Sequence, residues 1–200
     1  MTSIRLLFLA LAAIIGTVAA TAHAQVTAYA AGQGAINRIE VGIDVRASVR
    51  DRCGFAEGGA PSGTLNQADF DVAGISKDFA IRLNCSSASR VAVRSQNGAL
   101  SHGTSVPGYV SRAPYSVQLR LAGDDGTIST ASCNAADLTG TGSCGFAGTA
   151  SQTTGLRLAA ASTKDNGSYL RVSAPAYTGT QPLLAGDYSD TLTVTVSIAP

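Results

Sequence analysis

Residues 191–198 read Thr-Leu-Thr-Val-Thr-Val-Ser-Ile, an unbroken alternation of small hydroxyl and apolar side chains. Successive side chains of a strand point to opposite faces, so this run makes a β-strand with one buried face and one wet face. The same period recurs at Ile39, Val41, Ile43, Val45, Ala47 and Val49, at Phe79, Ile81, Leu83 and Cys85, and at Tyr115, Val117, Leu119 and Leu121. Shorter traces lie at Ala68, Phe70 and Val72, at Val91 and Val93, at Leu156 and Leu158, and at Leu170 and Val172. No stretch sustains a helical period. Seven or eight short strands, divided by turns such as Gly123-Asp124-Asp125-Gly126, describe an all-β sandwich or barrel.

The first 24 residues carry a basic Arg5, an apolar run from Leu6 to Ile15 and a closing Ala22-His23-Ala24. This is the pattern of a secretory leader cleaved between Ala24 and Gln25. The run is too short for a membrane span, which needs about 20 apolar residues. The expected organisation is a signal peptide over 1–24, an N-terminal extension over 25–38 and one domain over 39–200. Of 14 Lys+Arg and 13 Asp+Glu in the whole chain, cleavage removes only Arg5, leaving no net charge. A nucleic-acid partner needs a basic patch, so none is expected.

All four cysteines follow the leader. An even number in an exported chain points to two disulfides. Three pairings are open; Cys53–Cys85 and Cys133–Cys144 are favoured, because each pair joins the edges of a strand pattern or closes one loop. In the chain-entropy view such links contribute roughly 4 and about 3 kcal/mol. Without C-x-x-C spacing or paired histidines, no zinc site is expected.

The two ends of the chain are unequal. The last core-type residue, Ile198, is followed by Ala199 and Pro200, so no further strand is expected to return beside it. The N-terminal side holds more strand-competent sequence than one first strand needs. A last strand with an open edge and a surplus strand at the other end suit strand donation between molecules.

The run Leu183-Leu184-Ala185-Gly186-Asp187-Tyr188-Ser189-Asp190-Thr191-Leu192-Thr193-Val194-Thr195-Val196 resembles the C-terminal signature of the spore coat protein U domain. That domain forms subunits of archaic, Csu-type chaperone–usher pili. Cys53 after an alternating strand, and Cys85 closing Phe79-Ala80-Ile81-Arg82-Leu83-Asn84, also match its layout, and the resemblance covers nearly all of the mature chain. It implies an incomplete immunoglobulin-like β-sandwich lacking its last strand. It further implies a periplasmic chaperone that lends a strand, an outer-membrane usher, and identical or related pilus subunits as partners in a surface fimbrium serving adhesion and biofilm formation. Carried onto this sequence, the acceptor or chaperone-binding strand comprises Leu192, Val194, Val196 and Ile198, with Tyr188 beside it. The donor lies within Gln25–Val45, in one of two registers: Val26, Ala28 and Ala30, or Ile36, Ile39, Val41 and Ile43. The larger side chains of the second fill a groove better. The long lead before Cys53 and the pair Cys133/Cys144 depart from the simplest family pattern.

Other features read as ordinary surface. His102 sits in a Ser/Gly/Pro loop with no G-x-S-x-G elbow near it, so a catalytic triad is not expected. Asp124 and Asp125 fall short of a calcium cage, and Gly32-Gln33-Gly34 precedes no helix. Tyr109, Tyr115, Tyr169, Tyr177 and Tyr188 are candidates for a sugar-binding face. The chain is thus expected to be no enzyme and to hold no cofactor; the alternative function is a self-complete secreted binding module, a carbohydrate-binding adhesin or coat protein. Mass spectrometry of the exported protein is expected to find Gln25 as its first residue; a mature chain beginning before Ala22 would overturn the leader assignment.

Overall fold

The computed structural model describes residues 46–48, 50–140 and 142–199. The chain divides into two units, Met1–Ala47 and Ser48–Pro200. Only Arg46 and Ala47 of the first are described, and both are exposed and outside any strand. The alternating run Ile39–Val49 therefore lies almost wholly outside the described residues, as do the cleavage site and the candidate donor residues Ile36, Ile39, Val41 and Ile43.

Ser48–Pro200 is all-β, with almost no helix. In chain order its strands are β1 (Ile75–Ile81), β2 (Ser89–Ser95), β3 (Leu100–Ser101), β4 (Arg112–Ala113), β5 (Ser116–Ala122), β6 (Ile128–Asn134), β7 (Leu156–Leu158), β8 (Ser168–Ala174) and β9 (Leu192–Ile198). They form a four-stranded sheet ordered β1-β8-β5-β6, a three-stranded sheet ordered β7-β2-β9 and the small ribbon β3-β4. Every pairing between these strands is antiparallel.

One core joins the two larger sheets. Val117, Leu119 and Leu121 of β5, Leu170 and Val172 of β8, and Ile75 and Ile81 of β1 meet Val91 and Val93 of β2 and Leu158 of β7. The alternation of β5 and β9 is realised as read, because each has one face turned to that core. β2 is central in its sheet and buries Ala92 as well as Val91 and Val93.

Two elements differ from the sequence reading. Ala68, Phe70 and Val72 do not form a strand: Phe70–Ala73 is a single helical turn, α1, and Val72 is 75% exposed. Asp69 adopts a left-handed conformation, and its carbonyl accepts the N–H groups of Val72 and Ala73. Gly74 then turns at φ 68°, where a Cβ would stand 2.6 Å from the Ala174 carbonyl oxygen. A three-residue alternation is too weak to override that local turn chemistry. Conversely, β6 has no apolar signature, yet it pairs with β5 across the turn Gly123–Thr127. The outward Ile128 is 55% exposed, while the alternate positions Ser129, Ala131 and Cys133 are small and only partly buried.

Both cystines are present. Cys53 is bonded to Cys85, and Cys133 to Cys144. The second link ties β6 to a loop that drives Phe146, fully buried, into the core. Val93 donates to the Phe146 carbonyl and accepts from Gly148, which stitches that loop to β2. The Cys133–Cys144 bond thus holds an aromatic plug in place. Phe146→Ala is expected to lower unfolding free energy by about 3–5 kcal/mol, read from urea denaturation; a loss under about 1 kcal/mol would show that the plug is dispensable.

Candidate functional site

Each large sheet has an edge strand whose outer side lacks a partner among the described residues. β1 pairs only with β8, and β9 only with β2. Backbone donors and acceptors along such edges stay available to another strand. Between these edges lies a groove of about 1090 Å³. Ile75 and Phe79 of β1, Leu170 and Val172 of β8, Tyr115 before β5, and Leu192 and Val194 of β9 line it. The segments 61–71 and 183–191 complete its walls.

Burial differs sharply across the β2–β9 pair. Val91 and Val93 are completely buried, whereas their register partners Val196 and Val194 are only partly so. Leu192 and Phe79 are likewise half-buried and packed on the core. Apolar surface thus reaches solvent along one seam. Further burial of such side chains is favourable by about 25 cal/mol per Å².

The walls are held by polar contacts on their far sides. Asp78 and Arg171, direct register partners on β1 and β8, form a bidentate pair at 2.6 and 2.7 Å. The Arg171 guanidinium holds the Asp78 carboxyl below its usual range. Lys77 has the strand parity of Ile75 and Phe79 but remains exposed, opposite Val172. A charge in the core-facing register of an edge strand discourages unspecific sheet-to-sheet pairing.

At the Leu192 end of β9, Asp190 accepts four hydrogen bonds: from Ser95 Oγ at 2.5 Å, the Tyr115 hydroxyl at 2.6 Å, Thr191 N–H at 2.7 Å and Asn97 N–H at 2.9 Å. The carboxylate fastens the start of β9 to β2 and to the buried Tyr115. Burial, and then the adjacent Asp190, push the Tyr115 phenol well above the ordinary tyrosine range. Tyr188 donates to the carbonyls of Val110 and Leu184, at 2.8 and 3.0 Å, and burial raises its phenol too. Its ring meets Phe70 and His102, each at a centroid distance of 5.4 Å.

Of the residues singled out in the sequence, Tyr188, Leu192 and Val194 line the groove, while Val196 and Ile198 continue the same strand beyond it, opposite Val91 and Ser89. The chain matches no family model, no curated protein and no solved structure. The tyrosines are dispersed: Tyr115 is buried, Tyr169 stacks with Arg171 at 5.0 Å, and Tyr109 is exposed elsewhere. Asp124 is occupied by Thr163, Lys164 and Asn166, which hold its carboxyl down at about 2, and Asp125 by Thr127. Among the described residues no cluster of three or more His, Cys, Asp or Glu could hold a metal. Sequence reasoning missed Phe79 as a groove wall, Leu65 altogether, and the roles of Phe70, read as part of a strand, and of Asp190, read only as part of the closing run. Asp190 had one readable signal, its place immediately before the strongest alternation in the chain.

Asp190→Ala is expected to cost about 2 kcal/mol by stranding the Tyr115 hydroxyl and its other donors. The raised Tyr115 pKa also carries a pH signature. The unfolded phenol ionises near pH 10 while the folded one keeps its proton, so stability falls as pH rises above about 10. Tyr115→Phe is expected to flatten that alkaline decline in urea midpoints; an unchanged slope would refute the assignment.

Proposed function

We propose that this chain is an exported structural subunit of a surface pilus that assembles by strand donation. In this reading the two sheets are an immunoglobulin-like sandwich one strand short, and the groove between β1 and β9 receives the N-terminal segment of a neighbouring copy. One observation carries it: two strand edges without a partner among the described residues flank a groove in which Phe79, Leu192 and Val194 stay only partly buried. A closed binding module would bury those side chains itself.

The chemistry of the incoming segment suits the site. An added strand supplies main-chain hydrogen bonds to the free edges and apolar side chains to the cleft on every second residue. The alternation Ile39, Val41, Ile43 and Val45 provides such a face, with Glu40, Gly42 and Asp44 left for solvent. Residues 25–45 span up to about 70 Å when extended, against about 23 Å for a seven-residue strand such as β9. That leaves ample length both to fill a groove and to bridge to the next molecule. Resemblance to the spore coat protein U domain supports the same assembly, with a periplasmic chaperone guarding the groove before an outer-membrane usher passes the subunit on. The reading includes no catalytic role, cofactor or nucleic acid.

Deleting Gln25–Ile43 is expected to leave chaperone capture intact and abolish fibres, as seen by co-purification and electron microscopy. Val194→Asp, which puts a charge into the groove wall, is expected to abolish capture. Normal fibres from the deletion would remove the donor assignment. A stable, monomeric wild-type chain purified without any chaperone would favour the self-complete binding module instead.

A further inference from the structure

One wall of the groove is a strap of its own chain. The segment between Gly59 and Asp69 leaves one end of β1 and returns to its other end. Gly59 is fastened at the Ile81 end: its carbonyl accepts Arg82 N–H, and a Cβ there would stand 2.5 Å from the Arg82 carbonyl oxygen. The other end is fixed by α1 and by Tyr177 N–H donating to the Asp71 carbonyl. The strap thus bridges the two ends of β1, and nearly all of it lines the groove.

Its attachment is apolar only. Among the described residues, 60–68 take part in no backbone–backbone hydrogen bond, to either edge strand or to anything else. Gly63 lies over Phe79, the position of its missing Cβ 3.8 Å from the ring. Leu65 is half-buried and packs against the core, whereas its neighbours from Ser62 to Thr64 and from Asn66 to Asp69 are exposed. One leucine therefore seats the strap, and among the described residues the outer backbone of β1 and β9 stays unused beside it.

We propose that the strap 60–68 is a displaceable cover: Leu65 occupies the space an incoming strand's side chain requires, and leaves when that strand pairs with the edges. This rests on the strand-acceptor reading and adds a control to it. The cover lowers the apolar exposure of an unfilled subunit, yet it yields to a strand because no main-chain hydrogen bond ties it to the described residues. It also slows uptake, since the leucine must come out before the groove can fill.

The test uses the full mature chain and a fluorescent synthetic peptide of residues 25–49, which contains both candidate donor registers. Peptide uptake is followed by anisotropy, and thermolysin cleavage between Thr64 and Leu65 by mass spectrometry. The peptide is expected to speed that cleavage, as Leu65 is released. Leu65→Ala is expected to accelerate uptake about tenfold, the order set by losing roughly half of a leucine's burial, and Leu65→Met to behave like wild type. If Leu65→Ala does not fold, the cleavage measurement on the wild-type chain decides alone. Uptake with unchanged cleavage at Leu65, or an unchanged rate in a folded Leu65→Ala protein, overturns the cover and leaves the acceptor reading standing. Absence of any peptide uptake overturns both.

Discussion

Among the described residues, the outer edges of β1 and β9 keep their backbone hydrogen-bonding capacity unused, and this constraint bears on everything around them. A sheet edge presents a row of backbone groups that water satisfies adequately and another strand satisfies with added specificity. Here the two edges face one seam, whose floor between them carries the apolar Leu170 and Val172 and whose surrounding loops add polar side chains. In the proposed reading, backbone and side chains ask for the same thing, an extended segment with alternating apolar residues. Small apolar ligands would meet only half of that demand.

The remainder of the domain keeps the seam in shape. β2 and β5 bury their apolar faces completely and form the rigid centre. The Cys133–Cys144 link anchors the loop that carries Phe146, which is not part of the groove lining, and Asp190 ties the start of β9 to β2 and to Tyr115. The Asp78–Arg171 pair sits on solvent-exposed faces, where water screens it and its contribution is small, so β1 depends chiefly on its seven-residue ladder with β8. A wall held by a ladder and a weak ion pair can adjust as its free side is filled.

Strand faces were legible wherever large apolar residues alternated, as in β5 and β9, because burial of one face forces the period. β6 was invisible, since its inward residues are Ser129, Ala131 and Cys133, and a sheet can hold small side chains by hydrogen bonding alone. Ala68, Phe70 and Val72 misled for the opposite reason: the alternation was present, but Asp69 and Gly74 turn the backbone there. Half of the groove could be anticipated, from Tyr188 to Val194. The opposite wall could not, because Phe79 looks like any core residue until β1 is known to be an edge. Nor does any sequence pattern reveal that Leu65, in a stretch of Pro, Gly and Ser, lies across the cleft.

The Cys53–Cys85 bond encloses a loop that contains both the strap and β1. Tension applied to the chain on the N-terminal side of Cys53 would enter the domain at a covalent cross-link and pass to Cys85 and onward toward β2. Everything between the two cysteines lies off that load path. A pull of this kind therefore leaves the backbone of the strap and of β1 slack along its own length, whatever it does to the rest of the domain.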